Sequence, residues 1–378
     1  MTSEPRRILM TTDSVGGVWT YSLDLCRELS RRNIDVTLVV MGGKPNREQM
    51  RDAEFLSNVS LIATDLKLEW MQGAEDDLRI ADELLIELEA ERQPDIVHLN
   101  GYHHAALPFQ APVLAVAHSC VTSWFRACRA EPVPAEWERY EHRVGECVRA
   151  ADMIVAPTHS YYRTFTELHG QPRAGRVILN GRDPNRFDPR RQKHPVALGS
   201  GRLWDEAKNI SLLCKAAEGL PYPVAIAGTA CPPGSNRAEL QPNVTELGFL
   251  PPPDLAGHMA RSSVYVAPAR YEPFGLGVLE AALSACALIV ADIGTLRELW
   301  DGAAVFVSPD DAAGLHNALR ALLDDPRRCE ELGTLALERG RHFTAERMAE
   351  GYLDAYRTLL GGSHPHVGMP ARTQGARL

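Results

Sequence analysis

The strongest constraint on the fold of this chain is a regular alternation of short apolar runs, rich in β-branched residues, with longer segments of helical period. Such an alternation is typical of parallel sheets covered by helices on both faces, because parallel strands need long crossover connections. The alternation occurs twice, and a polar, Pro- and Arg-rich connector between Gly181 and His194 separates the halves. The length of 378 residues suits two domains. The sequence therefore predicts an α/β protein with two doubly wound parallel-sheet domains and a ligand crevice between them.

The predicted elements follow this alternation along the chain. The predicted strands are Arg7–Thr12, Asp35–Met41, Val59–Ala63, Asp95–Leu99, Val113–Ala117 and Met153–Ala156, then Val196–Ser200, Val224–Ala227, Val244–Leu247, Val264–Ala267, Leu288–Ala291 and Ala304–Val307. The predicted helices are Val18–Arg32, Asp76–Arg92, Ala135–Ala151, Ile210–Ala217, Asp254–Ser262, Leu276–Ala287, Ala312–Leu323 and two after Pro326, the last at Ala345–Leu360. We predict domains at residues 1–181 and 182–344, a final helix at 345–361, and a disordered tail at 362–378, which has no apolar period.

Charge and composition exclude several classes of protein. The net charge of −9 has the wrong sign for a protein that grips nucleic acid through its overall field, so no nucleic-acid partner is expected. The longest apolar run, Ala281–Ala291, is shorter than the roughly 18–20 residues that span a bilayer. The N-terminus lacks the apolar core of a signal peptide, and the eight cysteines are scattered without a C-x-x-C pair. A cytoplasmic location is expected, with contact at the inner face of the membrane left open.

A pair of glycines, Gly16 and Gly17, follows the first predicted strand and leads into the first helix. Adjacent glycines let the backbone approach an anion closely, and the helix N-terminus presents free N–H groups with partial positive charge. The pair is therefore a candidate phosphate site, with a plain tight turn as the alternative. The G-x-G-x-x-G spacing of a dinucleotide-binding loop is not found here, which disfavours a dehydrogenase.

Two cations follow the first strand of the second half, in the segment Gly201–Asn209. Arg202 can donate to two phosphate oxygens at once, and Lys208 supplies a mobile point charge near the next helix start. Together they predict a diphosphate clamp. The alternative is a pair of solvated charges on a surface turn.

The most specific motif runs from Glu272 to Glu280 with the sequence EPFGLGVLE, again between a strand and a helix. Gly275 and Gly277 allow close backbone contact with a ligand. Glu280 interrupts an apolar run, where a carboxylate without a partner would be costly. Two carboxylates at this spacing can accept hydrogen bonds from neighbouring sugar hydroxyls. A salt-bridged residue at a helix edge is the alternative for Glu280.

In these motifs the chain resembles retaining glycosyltransferases of the GT-B fold, in the family 4 group of nucleotide-sugar-dependent transferases. The resemblance covers almost the whole chain and is carried most strongly by the E-x7-E pattern with Pro-Phe-Gly after its first glutamate. Supporting elements are Gly-Arg-Leu…Lys at 201–208, Asn-Gly-x-Asp at 180–183, and Gly294…Glu298. The resemblance implies two Rossmann-like domains facing across a cleft, an acceptor-side first domain, a nucleotide-sugar second domain, and a final helix that crosses back to the first.

The resemblance also implies roles for the candidate residues. Glu272 would bind hydroxyls of the transferred sugar, and Glu280 would bind the ribose hydroxyls. His118, just after the Val113–Ala117 strand, resembles the first-domain histidine that faces the donor sugar. The implied catalytic residues are His118, Glu272, Arg202 and Lys208. The implied donor-binding residues are Gly16, Gly17, Arg202, Lys208, Glu272, Phe274, Gly275, Leu276 and Glu280.

The implied activity is that of a hexosyltransferase-type enzyme, which moves a sugar from a nucleoside diphosphate sugar to an acceptor hydroxyl with retention. Glycan, glycolipid and cell-envelope polysaccharide synthesis are the expected settings, with a glycan, a lipid or a small molecule as acceptor. Because Arg202 and Lys208 would stabilise the departing diphosphate, neither a cofactor nor an essential metal is expected. A double displacement through Glu272 stays open beside front-face attack. A nucleotide-sugar epimerase or hydrolase of the same fold, and a non-catalytic nucleotide-sugar-binding protein, are the alternatives.

Three positions depart from the family pattern within these motifs, and one of them is Gly294, which stands alone where a pair of glycines is common. Asn209 follows Lys208 where glycine is frequent, and asparagine tolerates the left-handed conformation that such a turn needs. Arg182 stands in the hinge where an aliphatic residue is usual.

Three further groups of residues are interpreted as structural. His98, His103 and His104 match no standard metal spacing, and the sequence shows no carboxylate partner nearby. The charges of Trp124–Arg149 nearly cancel, so we predict a solvent-facing amphipathic helix rather than a membrane contact. Cys120 and Cys128 have no identifiable activating partner.

Overall fold

The protein is described by a computed structural model over residues 4–228 and 242–362. Within these ranges it forms two parallel sheets of seven and six strands, which confirms the predicted fold class. The predicted tail lies outside the described residues from position 363 onward, as does Cys231. No helix within the described ranges has both the length and the apolar character needed to cross a membrane.

The first sheet has the strand order β3-β2-β1-β4-β5-β6-β7. Its strands are β1 Arg7–Asp13, β2 Asp35–Met41, β3 Val59–Ala63, β4 Ile96–Leu99, β5 Val113–Val116, β6 Met153–Ala156 and β7 Gly175–Val177. The helices around it are α1 Gly17–Ser30, α2 Arg47–Glu54, α3 Glu75–Arg92, α4 Val121–Cys128, α5 Glu138–Ala150 and α6 His159–His169. The strand order reverses between β1 and β4, so the loops after these two strands border a crevice.

The second sheet has the order β10-β9-β8-β11-β12-β13 and reverses between β8 and β11. Its strands are β8 His194–Ser200, β9 Val224–Ala227, β10 Val244–Gly248, β11 Ser262–Ala267, β12 Ala287–Ala291 and β13 Val305–Val307. The helices are α7 Ile210–Ala216, α8 Pro252–Arg261, α9 Leu276–Leu283, α10 Gly294–Trp300, α11 Ala312–Leu323, α12 Pro326–Gly340 and α13 Ala345–Gly361.

The last helix, α13, belongs to the core of the first sheet rather than the second. Its residues Tyr352, Leu353 and Tyr356 are buried in one apolar cluster with Ile8 of β1 and Tyr21 of α1. Burying a large apolar side chain contributes about 1.5–3 kcal/mol relative to exposure, so this face of α13 is a substantial part of the first core.

The chain crosses between the sheets twice, and the two crossings are hydrogen-bonded to each other. The backbone N–H of Arg182 donates to Phe343 O at 3.1 Å, and Ala345 N–H donates to Arg182 O at 3.1 Å. A Cβ atom on Gly181 would collide with the backbone of Thr344, so only glycine fits at this crossing.

Several predicted boundaries are wrong for identifiable reasons. Helix α9 ends at Leu283, four residues before the predicted end, because Ala285 takes the left-handed conformation with φ 57° and Ala287 already begins β12. The predicted helix Ala135–Ala151 starts with a 3-10 turn and becomes α-helical only at Glu138. The elements that the periodicity did not indicate are β7, α2, α4, α6 and α10.

Candidate active site

The loops at the two reversal points face each other across the crevice. A Cβ atom on Gly17 would lie 3.5 Å from the Cδ1 atom of Leu276 in the opposite domain. Nearby, the Thr158 hydroxyl donates to Pro273 O at 3.0 Å, and Cys120 N–H donates to the Tyr271 hydroxyl at 3.1 Å. The loop after β1 and the loop before α9 are therefore the two walls of one narrow site.

The two predicted clamp cations lie in this crevice and are each paired with a carboxylate. Arg202 donates to Asp205 Oδ2 from Nε at 3.1 Å and from Nη2 at 2.7 Å. Lys208 Nζ donates to Glu272 Oε2 at 2.5 Å. Asn209 has φ 52°, so asparagine does adopt the left-handed conformation in place of the usual glycine. Both cations therefore have a carboxylate partner in the crevice before any anion binds.

Backbone geometry and packing hold Glu272 in place at the start of its motif. The Thr295 hydroxyl donates to Glu272 O at 2.6 Å. Gly275 has φ 89°, and a Cβ atom there would lie 3.2 Å from Glu272 Cγ, which explains the glycine. Phe274 is buried, with its ring 6.1 Å from that of Phe343, so it anchors the loop to the second core.

Glu280 has a charged partner that the sequence analysis treated only as a departure from the family pattern. Its Oε1 atom lies 2.9 Å from Nε of Arg182, which also donates to Asp24 of α1. Although burial opposes the charge of Arg182, its two carboxylate neighbours raise its pKa above the usual range. Burial raises the pKa of Glu280, and Arg182 only partly offsets this effect. Glu280 is therefore part of an Asp24–Arg182–Glu280 triad in which Asp24 and Arg182 are buried, and its role toward ribose hydroxyls stays a prediction.

His118 lies at the end of β5 and is oriented by Asn100, a residue the sequence analysis missed. The His118 Nε2 atom is 2.7 Å from Asn100 Oδ1. Asn100 Nδ2 donates to Thr11 O at 2.7 Å, which assigns the amide oxygen to the side facing His118. His118 Nε2 must then carry a proton. Burial lowers the pKa of His118 to about 3, so the ring is neutral at pH 7 and Nδ1 offers a lone pair.

Replacing Asn100 with Ala is expected to lower turnover about tenfold, because a hydrogen bond worth about 0.5–1.5 kcal/mol that orients His118 is lost. Nitrogen-15 NMR of the His118 ring measures which nitrogen carries the proton. In the wild type it should be Nε2 throughout, whereas the variant should show a mixture of the two tautomers. Asn58→Ala is the matched control, because the Asn58 amide also donates to two backbone carbonyls but lies outside the crevice. An unchanged tautomer and rate in Asn100→Ala would contradict the assignment.

Asp13, at the end of β1, is a second crevice residue outside the predicted site. Burial raises its pKa to about 6, against the hydrogen bond that its Oδ1 accepts from Val15 N–H at 3.0 Å. The charge of Arg202 across the crevice lowers the pKa, and that of Glu69 raises it. The only feature of the sequence that pointed to Asp13 as a crevice residue was its place at the end of β1, directly before the glycine motif.

Lowering the pH from 7 toward 5 is expected to reduce the free energy of unfolding through two buried histidines. Burial lowers the pKa of both His98 and His118 to about 3. Unfolded histidine titrates near 6.5, so the unfolded chain binds more protons as the pH falls through this value, and the loss of stability approaches about 1.4 kcal/mol per pH unit for each histidine. Asp13 has the opposite effect on the free energy of unfolding below pH 6. Because its pKa is raised in the folded state, that state binds the proton first and is stabilised as the pH falls.

Urea midpoints at pH 6.5 and 5.5 test this dependence on pH. His98→Gln should show a smaller loss over that unit than the wild type, by about 1 kcal/mol, because unfolded histidine is already half protonated at pH 6.5. His142→Gln, at an exposed position, should behave like the wild type. Equal losses in His98→Gln and the wild type would show that His98 titrates normally.

The fold separates His98 from the other two histidines of the sequence analysis, His103 and His104. His98 is fully buried between two hydroxyls, with Nδ1 2.6 Å from Tyr356 Oη and Nε2 3.2 Å from Tyr21 Oη. His103 and His104 do have a carboxylate partner, Asp82 of α3, so the expectation that none is nearby is wrong. Asp82 lies 21 and 22 residues before them in the sequence, a separation that concealed the contact.

The segment Trp124–Arg149 is not one solvent-facing helix. Its first part, α4, lies against the second domain: Trp124 Nε1 donates to Asp205 at 3.4 Å, and Arg129 donates to Glu206 at 2.8 and 3.2 Å.

Cys120, at the N-terminus of α4, has a histidine neighbour, since its Sγ atom lies 3.4 Å from His169 Nε2, yet burial raises the pKa of the thiol. The cysteine is therefore held as a neutral thiol, in agreement with a structural role.

Two facing parallel-sheet domains, with a crevice formed by the loops at both reversal points, define the class of GT-B glycosyltransferases. Family models match both halves: "Glycosyltransferase Family 4" at residues 15–186 and "Glycosyl transferases group 1" at residues 194–325. Together they cover well over half of the chain, which belongs to this glycosyltransferase family.

Curated relatives and solved structures agree with this assignment. D-inositol 3-phosphate glycosyltransferase from Nocardia farcinica is 27% identical over 93% of this chain and 87% of its own length. Glycogen synthase from Mycobacterium tuberculosis is 28% identical over 65% of this chain, which spans only 64% of that relative. Sucrose-phosphate synthase from Thermosynechococcus elongatus has a TM-score of 0.80 at 21% identity, covering 94% and 99% of the two chains. Anabaena HepE in complex with UDP-glucose has a TM-score of 0.73 at 16% identity, covering 93% and 99%.

Proposed function

We propose that this protein transfers a hexosyl group from a nucleoside diphosphate sugar to an acceptor hydroxyl, with retention at the anomeric carbon. The observation that carries the proposal is the meeting of Arg202, Lys208 and Glu272 in the crevice, opposite the glycine loop after β1. The related solved protein HepE binds UDP-glucose, which supports a nucleotide-sugar donor for this chain as well. Synthesis of a glycan, a glycolipid or a cell-envelope polysaccharide is the proposed setting.

Donor binding would exchange the ion pairs that occupy the crevice. The diphosphate takes the place of Asp205 on Arg202 and of Glu272 on Lys208, with N–H groups from Gly17 and the loop before α9 completing the cradle. The exchange frees the Glu272 carboxylate, which then accepts hydrogen bonds from hydroxyls of the sugar. Diphosphate binding and sugar binding are thereby coupled through one residue pair.

The transfer itself breaks the bond between the anomeric carbon and the β-phosphate oxygen and forms a bond to the acceptor oxygen on the same face. The acceptor proton moves to the departing phosphate oxygen. Arg202 and Lys208 stabilise the negative charge that develops there, and this stabilisation in the transition state is what accelerates the reaction. His118 Nδ1, neutral and unprotonated, accepts a hydrogen bond from the sugar and helps to orient it.

The proposed clamp supplies two positive charges, so the reaction is expected to need no metal. Turnover should be unchanged after dialysis against a chelator such as EDTA, within the error of the assay. Mg²⁺ added back to the chelated enzyme serves as the control. Loss of turnover on chelation and recovery with Mg²⁺ would overturn this part of the mechanism.

A thermal-shift panel with UDP-, GDP- and ADP-sugars tests the proposed function. Ligand at 100-fold above its Kd stabilises the folded state by about 2.7 kcal/mol. One donor should stabilise the wild type and do so less in Arg202→Ala and Glu272→Ala. Absence of any shift in folded protein would count against a nucleotide-sugar enzyme. Product formed without an acceptor would instead favour an epimerase or a hydrolase, and binding without any turnover a non-catalytic protein.

A further inference from the structure

Three side chains with metal-ligand chemistry converge on the first domain, outside the crevice. His103 and His104 lie in the 3-10 turn His103–Ala106 after β4, and Asp82 faces them from α3. His103 Nε2 is 3.2 Å from Asp82 Oδ2, and His104 Nδ1 is 2.8 Å from Asp82 Oδ1. One ligand atom from each of the three lies within 4.8 Å of the others.

These separations are close to those that a tetrahedral metal requires. Ligand atoms about 2.0–2.2 Å from a zinc ion stand about 3.3–3.6 Å apart, so separations of up to 4.8 Å have to shorten by at most about 1.5 Å for the three groups to share one ion. Two imidazoles with a carboxylate are donors that suit Zn²⁺ and neighbouring divalent transition metals. A site with three protein ligands keeps its fourth position for water.

The cluster is also accessible, as a site that loads from solution must be. The side chains of His103 and Asp82 are 22% and 26% exposed, while that of His104 is 3% exposed. His103 borders a surface cavity of about 330 Å³. The other residues that line this cavity are Glu138, Arg139, His142, Arg143 and Glu146. An ion can therefore enter from the cavity while His104 gives the site a fixed, buried base.

We propose that Asp82, His103 and His104 form a binding site for one divalent transition-metal ion of the zinc type. The ion would tie α3 to the turn after β4, in place of the two hydrogen bonds that join them now. It lies outside the proposed clamp and takes no part in sugar transfer. The site does not depend on the proposed function, because it is argued from these three side chains alone.

Calorimetric titration of the metal-stripped full chain with Zn²⁺, and with Co²⁺ followed by its visible absorption, tests this site. The wild type should bind one tight equivalent, and Co²⁺ should give the intense bands of a four-coordinate ion. His103→Ala and Asp82→Ala should each weaken Zn²⁺ binding at least about 10–100-fold, since even loss of an outer-shell partner has that effect. His142→Ala is the matched control, because His142 lines the same cavity but lies outside the cluster.

The two variants also locate the ion. The sequence has further histidines at positions 364 and 366, beyond the described residues, which offer a competing site. Tight Zn²⁺ binding that persists unchanged in folded His103→Ala and Asp82→Ala would place the ion elsewhere and overturn the proposal. Absence of tight binding to the folded wild type would overturn it as well.

Discussion

Replacing Arg202 with Ala is expected to lower the transfer rate about 10²–10³-fold, which corresponds to about 3–4 kcal/mol of transition-state stabilisation. The reason is that Arg202 presents two donors to the diphosphate at the moment when negative charge develops on it. Single-turnover rates with a saturating donor, measured in the wild type and the variant, separate this effect from weaker binding.

Two further variants make the result for Arg202 specific. Arg202→Lys keeps the charge but not the two-pronged geometry, so its rate should lie between those of the wild type and Arg202→Ala. Arg320→Ala removes an exposed arginine that is paired with Asp324 in α11, and it should leave the rate unchanged. A rate for Arg202→Ala within a factor of three of the wild type would refute the clamp.

Replacing Arg182 with Leu is expected to lower the free energy of unfolding by about 3–5 kcal/mol, the usual cost of leaving one partner of a buried ion pair without its counterion. Asp24 keeps a partner in Arg27, whose Nη1 lies 2.7 Å from its Oδ1. Glu280 is therefore the carboxylate that loses its ion-pair partner, with the charge of Arg186 nearby as a weaker compensation. Urea denaturation followed by circular dichroism measures the loss as a lower transition midpoint at unchanged slope.

A second substitution distinguishes the uncompensated charge from simple loss of packing. In the double variant Arg182→Leu, Glu280→Gln the buried charge is gone, so much of the lost stability should return. The single variant Glu280→Gln completes a double-mutant cycle, in which the free energies of unfolding of all four proteins are compared. If the double variant is as unstable as Arg182→Leu, the loss comes from packing around the guanidinium, and the triad contributes little.

The sequence predicted candidate site residues best where a motif consists of residues that are adjacent in the chain. The Gly-Gly pair, the cation segment after β8 and the E-x7-E motif each follow a strand directly, and parallel strands bring their carboxyl ends to one edge. The expectation for Asn209 also held, because a left-handed turn is a local property of the backbone.

Interactions between distant residues could not be predicted in the same way. Arg182 stands 158 residues after its partner Asp24, and the sequence offered only the observation that its type is unusual in a hinge. Asn100 is 18 residues before His118, on a different strand end, so its orienting hydrogen bond depends on the order of β4 and β5 in the sheet. Such pairings depend on the order of the strands in the sheet. The hydrophobic pattern predicts the fold class but not this order.

The return of α13 to the first core has a consequence for biosynthesis. Tyr352 and Tyr356 complete an apolar cluster whose other members, such as Ile8 and Tyr21, are synthesised before the whole second domain. The second domain, encoded between these parts, has all its strands available earlier than the first domain has its last helix. The core of the amino-terminal domain should therefore close only after the second domain has been synthesised, and until α13 packs against it the domain presents an open hydrophobic face.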